Sequence, residues 1–546
     1  MAEHNGTGDA GIDRRKYLSG GAALGALTIG GTIVAAGDDV ESDQHGNDGK
    51  REKKTDEKKK DKKVVEIDSC TEITEPGHYR LVSDLDVDDD GACIVIRASD
   101  VYFDGGNHLL YGDGGEDPRG FPFDSGTTGV LVKPDWTKKP PKRPPKKDHD
   151  RKDHEKKGYE KKGPHKKRHG KKRHRKKRTH WLSNVTVKNV NCRYLDTGVA
   201  YYDVKRGRIK KVKAKKNHRG LVCFQAKKNT LYGNRAEKNT YGYHLLDSST
   251  NVVKGNVAAG NDSRGFWLSR LGTGSNRNVL YGNRAFESES GIRLDGSYKN
   301  KLTKNRTKRN FYGIYTVDSG KNGFKRNRST KNVHGIRLRD AHKNDLTKNC
   351  LSENFNTGLR FTDAHGNGVW YNDVDKNFFR GIWLTDSNTN TFKRNCVKRN
   401  VGTNVRLTDS HKNTFIKNTA SKSVLGHGFD LVRSHRNVLS KNTANDNLLA
   451  GFLLVDSKWN TGRHNTADGN LVAILIIGGQ GTNKIQVNDE WYESSGGDAD
   501  GADFESVEIV EVLHDDSDDV SETVAVEDVD EFAEALEEAD GVAVTN

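Results

Sequence analysis

The chain has 546 residues, 91 Lys/Arg against 76 Asp/Glu and a formal net charge of +15. That charge is segregated: residues 1–136 sum to −12, 137–180 to +17, 181–488 to +32 and 489–546 to −22, which excludes an evenly mixed, merely solvating surface. Six Cys in this length exclude a disulfide-dense scaffold.

Residues 1–37 hold Arg14 and Arg15 ahead of a Gly/Ala-rich apolar stretch from Gly20 to Ala36. Paired Arg before such a stretch predicts a twin-arginine export signal, cleaved or kept as an N-terminal membrane anchor, and an extracellular or cell-surface destination. Residues 38–63 lack apolar residues and read as a disordered charged linker. Residues 64–136 alternate apolar and polar residues between Gly-rich turns, as an N-terminal cap with the first coils requires. Cys70 and Cys93, 23 residues apart, are spaced to pair there. Residues 137–180 combine Pro, Lys, Arg and six His without an apolar core, and predict a disordered basic insertion suited to nonspecific polyanion contact.

Residues 181–488 carry the organising pattern. From Gly291 to Gly402 the text repeats every 22 or 23 residues, each repeat opening on Gly followed by apolar residues two apart: Gly291-Ile292-Arg293-Leu294, then the same register from Gly313, Gly335, Gly358 and Gly381. Counting that Gly as offset 0, Asn recurs at offsets 9, 14 and 19, as at Asn300, Asn305 and Asn310. An apolar period of two means short strands with one inward face, whereas a helical solenoid needs spacings of three and four. Three Asn per repeat mark three corners, where Asn tolerates left-handed backbone and its amide bonds the Asn of the next coil. The predicted fold is all-β: a right-handed, single-stranded parallel β-helix, a three-sided solenoid stabilised by stacking of coils. The register reaches upstream to Gly220, with residues 204–219 less regular, and downstream to Ala473. Residues 489–546 contain no Lys or Arg, and read as an acidic tail or cap with one amphipathic helical stretch around Phe532.

In such a solenoid, offsets become rows along the coil stack. Offset 2 gives Arg293, Arg337, Arg360 and Arg406 with Trp383 among them, and offset 13 gives Lys304, Arg326, Lys348, Arg394, Lys417 and Lys441. Guanidinium forks for anions and rings for sugar faces suit an acidic polysaccharide or another polyanion, while nothing in the pattern specifies a nucleic acid. The competing reading makes these cations solvated positions that balance the Asp row. Offset 7 gives His342, His365, His411 and His435, and offset 5 gives Asp340 and Asp363 beside the first two. Paired imidazoles with carboxylates are candidate copper or zinc ligands, and stacked Asp are candidate calcium ligands; ordinary polar turns are the simpler account of both rows. No cofactor is certain.

The opening segment, Cys70-Thr71-Glu72-Ile73 through Cys93-Ile94-Val95-Ile96 to Leu110-Tyr111-Gly112, followed by Asn-ladder coils, resembles the NosD-like secreted proteins built from parallel-β-helix repeats, a group common in halophilic archaea. The resemblance covers roughly residues 64–488 apart from the basic insertion. It implies the β-helix fold, carbohydrate binding or sugar hydrolysis as the repeat type's usual setting, and copper delivery as the NosD-like role. The readings that stay open are a polyanion-binding protein, a polysaccharide lyase or glycoside hydrolase of the β-helix type, and a metal-handling accessory protein.

Overall fold

A computed structural model describes residues 63–87, 91–113, 126–137, 181–478 and 483–493. The export signal, the linker, nearly all of the basic insertion and the acidic tail after Glu493 lie outside the described residues. Those described form three large sheets of 18, 13 and 16 strands, parallel except for the last strand of the first and joined corner to corner by one winding chain, with a two-stranded pair beside them.

A complete coil supplies one strand to each large sheet. The long side takes six-residue strands such as Tyr312–Val317, His334–Arg339 and Thr357–Thr362. The middle side takes three-residue strands such as Lys301–Thr303 and Gly323–Lys325, and the closing side takes Arg306–Lys308 and Arg328–Thr330. Register holds from coil to coil: Ile314 pairs with Ile336, and Ile336 with Leu359. Offsets 1 and 3 of the long side, 11 of the middle side and 16 of the closing side point inward. They build one continuous core in which Phe361, Phe392 and Phe415 are fully buried. The leading Gly is a matter of space: a Cβ on Gly335 would lie 2.4 Å from the Gly358 carbonyl oxygen of the next coil.

The Asn rows are buried ladders. Asn349 Nδ2 donates to Phe324 O at 2.9 Å and to Asn372 Oδ1 at 2.9 Å, while its Oδ1 accepts from the Asn327 backbone N–H at 2.9 Å and from Asn327 Nδ2 at 3.0 Å. Every corner thereby satisfies backbone groups that a turn would leave unpaired inside the wall. The corner geometry corrects one expectation: the left-handed residue is the one before each Asn. Lys299, Lys304 and Arg309 have φ of 61°, 55° and 57°, ahead of Asn300, Asn305 and Asn310. The Asn itself is spent on the ladder, so the conformational strain falls on its exposed neighbour.

The solenoid also extends further upstream than the Asn pattern reaches. Thr71–Ile73, Ala92–Ile96, Thr128–Val132 and Thr197–Tyr202 are long-side strands of the same sheet. Residues 204–219, expected to be less regular, hold register, with Ile209 opposite Leu231 and Ala214 opposite Ala236. A coil only has to offer its backbone N–H to the Asn of the following one: Gly207 N and Val212 N donate to Asn229 and Asn234 Oδ1 without an Asn of their own. After Thr128–Val132 the coil resumes at Leu182, so the basic insertion departs from the corner between the long and middle sides. Cys70 and Cys93 are disulfide-bonded, joining the first two coils with their Cα atoms 4.4 Å apart. Cys192, Cys223, Cys350 and Cys396 are free. At the far end, Glu490–Glu493 turns back antiparallel on Lys484–Val487.

Candidate functional site: the outer face of the long side

The outward positions of the long side, offset 2 and the residue before the leading Gly, stack into one lattice of rings and guanidinium groups. Trp267 lies flat on His244 at 3.9 Å, with the Arg264 guanidinium 4.0 Å over its ring. Tyr315 is flanked by Arg293 at 5.0 Å and Arg337 at 5.8 Å. Trp383 stands between Arg360 and Arg380, each guanidinium 4.0 Å from the ring. Arg406 bonds Asp430 at 2.7 Å, and Arg293 bonds Asp295 at 2.9 Å. Cations on ring faces are attracted by the ring quadrupole, most strongly where water is thinned out, and Tyr315 and Arg337 are each only 7% exposed. Arg264 Nε, Trp383 Nε1 and Asp430 Oδ1 are shielded from solvent and have no hydrogen-bond partner among the described residues.

The structure thus gathers Arg293, Arg337, Arg360, Trp383 and Arg406 on one face. Lys348, Arg394 and Lys417 sit elsewhere, on the corner between the middle and closing sides, after Asp345–Thr347, Thr391–Lys393 and Thr414–Ile416. The sequence rows were right as rows, but they belong to two surfaces. Spacing along the chain does not say which side of a triangle an offset occupies until the corners are placed.

The residues before the leading Gly had no periodic signal: Tyr241, Arg264, Tyr312, His334 and Arg380 share a position but no residue type. Tyr312 stacks on His334 with ring centroids 5.5 Å apart, and Arg337 Nη1 donates to Tyr312 Oη at 3.2 Å. Burial, helped by Arg337 and Arg360, holds the His334 imidazole well below its ordinary pKa, and His334 Nδ1 has no partner among the described residues. A Ser row at offset 6 was also missed: Ser297, Ser387, Ser410 and Ser434 each give a backbone N–H to the Ser hydroxyl one coil on.

His342 and His365 do stack, ring centroids 5.0 Å apart, as do His411 and His435 at 4.9 Å. Their chemistry is ladder chemistry. His342 Nδ1 accepts the His365 backbone N–H at 3.1 Å, and His365 Nδ1 accepts that of Asn388 at 2.9 Å. With Nδ1 committed as acceptor, the neutral ring carries its proton on Nε2, the nitrogen that faces away from the ladder. Among the described residues no group of three or more His, Cys, Asp or Glu converges as a metal site. The Asp row is engaged likewise: Asp409 is held by a two-pronged Arg433, Asp318 by Arg270, Asp340 lies 3.7 Å from Arg339, and Asp247 accepts the Gly272 and Gly274 backbone N–H groups.

Five histidines, His244, His334, His342, His427 and His435, make stability fall with acid. Burial, reinforced by His365, lowers the pKa of His342; burial also lowers His427 and His435, and drives His244 and His334 further down. A group depressed in the folded state contributes stability that is complete above its unfolded value, about 6.5, and is lost as pH falls through the folded value. Asp196, Asp203, Asp345 and Asp373, raised by burial, work in the opposite sense nearer the carboxylate range. The thermal midpoint is expected to drop between pH 7 and pH 5. His342→Asn with His435→Asn should flatten that drop, because Asn388 already fills the same row with its amide oxygen as acceptor. An unchanged pH profile in the double variant would contradict the ladder role.

Residues 271–403 match the family described as periplasmic copper-binding protein (NosD), and residues 179–329 and 372–489 match the right-handed β-helix region. The chain is a right-handed parallel β-helix protein, similar to NosD over residues 271–403. No curated protein matches it. Among solved structures it is similar to the Azotobacter vinelandii mannuronan C-5 epimerase AlgE4 A-module, at 13% identity over 55% of this chain and 91% of that one, TM-score 0.39. It is similar also to the periplasmic alginate epimerase AlgG, at 13% identity over 56% and 77%, TM-score 0.36. The Dettilon tailspike protein gp208 shares 13% identity over 54% and 61%, TM-score 0.33. At such identity the residues that act in those proteins have no assigned counterpart here. The copper that the family description implies does not fit the paired histidines of this chain: their Nδ1 atoms serve the ladder, and the free cysteines of the closing side, Cys350 and Cys396, are separated by the intervening Asp373 coil.

Proposed function

We propose that this NosD-like protein is exported and binds an acidic polysaccharide along the outer face of its long side. The observation that carries the reading is Trp383, held between Arg360 and Arg380 with its indole N–H shielded and without a partner among the described residues. A shielded donor without an acceptor is costly unless a ligand supplies one. The rings of Trp267, Tyr315 and Trp383 hold guanidinium groups in place between the coils, and an acidic sugar offers carboxylates to those cations and hydroxyls to such donors. The excess of 32 positive charges over residues 181–488 adds long-range attraction that added salt weakens. Export is supported by the Cys70–Cys93 disulfide, a bond that persists in oxidising compartments, and by the twin-Arg leader in the sequence.

The test is calorimetric titration of the full chain with polygalacturonate, a polyuronate of simple composition. Trp383→Ala should weaken binding about tenfold, the loss of ~1.4 kcal/mol reasonable for one central aromatic contact. Binding unaffected by Trp383→Ala would place the ligand elsewhere.

A second reading, elimination by a lyase, is favoured by one site. His334 offers a neutral ring nitrogen without a described partner, beside a Tyr312 hydroxyl that is bonded to Arg337. That is the set needed to hold a carboxylate, take the proton α to it and protonate the leaving oxygen. Ultraviolet-absorbing unsaturated uronate, produced by the wild type and lost in His334→Gln, is its signature.

A further inference from the structure

The corner between the middle and closing sides carries a second set of cations. At offset 13, Lys304, Arg326, Lys348, Arg394, Lys417 and Lys441 follow one another coil after coil, with only Tyr371 interrupting. All six are exposed, and among the described residues none makes an ion pair. Tyr371 is part of the line: Lys348 lies 5.8 Å from its ring, Arg394 lies 5.6 Å from it, and Arg394 Nη1 donates to its hydroxyl at 2.8 Å. The corner between the closing and long sides is different, since Arg309, Lys331 and Arg399 are paired there with Glu287, Glu353 and Asp375.

These six residues hold left-handed backbone, with φ between 54° and 57°. For a residue with a Cβ that conformation costs about 1 kcal/mol or more, and Gly avoids the cost. Three upstream coils of this same chain fill the position with Gly, Gly233, Gly255 and Gly282 at φ of 62° to 63°, whereas the coil before them holds it with Lys211 at 51°. From Lys304 onward, a long cation replaces the residue that the backbone favours, six times. Left-handed backbone is general to the corners, as Lys299 and Arg309 show; what sets this row apart is six long cations in it, exposed and without an ion pair among the described residues, which points to a use for the side chains rather than to folding.

We infer that this corner is a second binding track, for a linear polyuronate laid along the coil stack with one carboxylate per coil; the inference rests on the acidic-polysaccharide reading above. Coils are stacked at about 4.8 Å, and a 1,4-linked sugar advances by roughly one such step per residue. A nucleic-acid strand, with a charge every ~3.4 Å, falls out of step after a few coils. Tyr371, at the break in the charges, supplies a ring face for a sugar in place of a cation.

The experiment uses the full chain, oligogalacturonates of two to eight residues, and two charge-matched triple variants. Lys304→Asn, Arg326→Asn and Lys348→Asn together should weaken binding of the longer oligomers on the order of tenfold to a hundredfold. The slope of log K against log salt should fall by about three. Thermal stability should stay level or rise, because Asn adopts left-handed backbone more readily than Lys or Arg, and that separates lost binding from lost folding. Lys299→Asn, Lys321→Asn and Lys343→Asn, also at left-handed positions but on the corner between the long and middle sides, remove the same charge and should weaken binding less than threefold. Affinity should keep rising with oligomer length to about six residues, and single-stranded DNA of equal charge should bind more weakly.

Equal losses in the two triples, affinity that stops growing at two or three residues, or tighter binding of DNA would overturn the track. If polygalacturonate binds but only Trp383→Ala weakens it, the track alone fails. If the wild-type chain binds no polyuronate at low salt, the polysaccharide reading fails with it.

Discussion

Asn349→Ala is expected to destabilise the solenoid by about 3–5 kcal/mol, read by denaturant or thermal unfolding. The side chain is buried, and its loss takes the ladder partner of the Asn327 backbone N–H and a partner of the Phe324 carbonyl, while Asn327 Nδ2 keeps only Leu302 O and Asn372 Oδ1 keeps only the residue 349 backbone N–H. Each buried group left unpaired costs about 1–3 kcal/mol, and a small side chain lets some water or neighbouring atoms move in, so the sum stays below the full total. A repeat protein transmits such damage to its neighbours, because each coil is stable only on the one beneath it. Lys348→Ala, one residue earlier but exposed, is the contrast and should change stability by less than about 1 kcal/mol. Equal effects at the two positions would mean that the ladder does not hold the corner.

Phe392→Ala is expected to cost about 3–5 kcal/mol through a different mechanism, cavity formation in the dry interior. Its ring is fully buried and stacked on Phe415 at 4.6 Å with planes within 5°, and it packs against Phe361 at 5.8 Å. Because Phe361 comes from the long side and Phe392 from the middle side, the loss loosens the contact between sheets as well as between coils. Phe392→Leu, which keeps most of the volume, should recover more than half of the loss. The exposed Phe355–Phe378 stack, with the same near-parallel geometry at 5.4 Å, should lose less than about 1 kcal/mol on truncation of either ring, because water already reaches it.

Most of this architecture could be read from spacing because the fold repeats its own physics. Ile292, Ile314 and Ile336 recur since each must fill the same inward place, and Asn305, Asn327 and Asn349 recur since each must close the same corner. What spacing did not carry was conformation within the corner. The sequence reading gave left-handed backbone to Asn, the usual tolerant residue, but Asn is fixed by its ladder bonds and Lys304 or Lys348 takes the strain instead. The upstream coils were obscured for a related reason. Gly207 and Val212 stand where Asn is expected, and the bond runs from their N–H to the following coil's Asn, so the pattern fades although the structure does not. The basic insertion further separates Val132 from Leu182 in sequence while leaving Thr128 and Thr197 as direct neighbours.

The candidate site was half legible. Arg337, Arg360 and Trp383 recur at one offset and could be seen as a row, whereas Tyr312, His334 and Arg380 vary in type and become part of the same surface only once the strand is built. The histidines were legible as a stack and misleading as ligands, because the direction of His342 Nδ1 toward a backbone N–H has no trace in composition or spacing.

The measurement that bears most directly on the account is titration of the full chain with polygalacturonate across a salt series. Cation rows built by coil stacking predict clear binding at low ionic strength, with log K falling linearly in log salt and Trp383→Ala weakening binding at every salt concentration. Absence of binding at low salt, or binding that salt leaves unchanged, would contradict it.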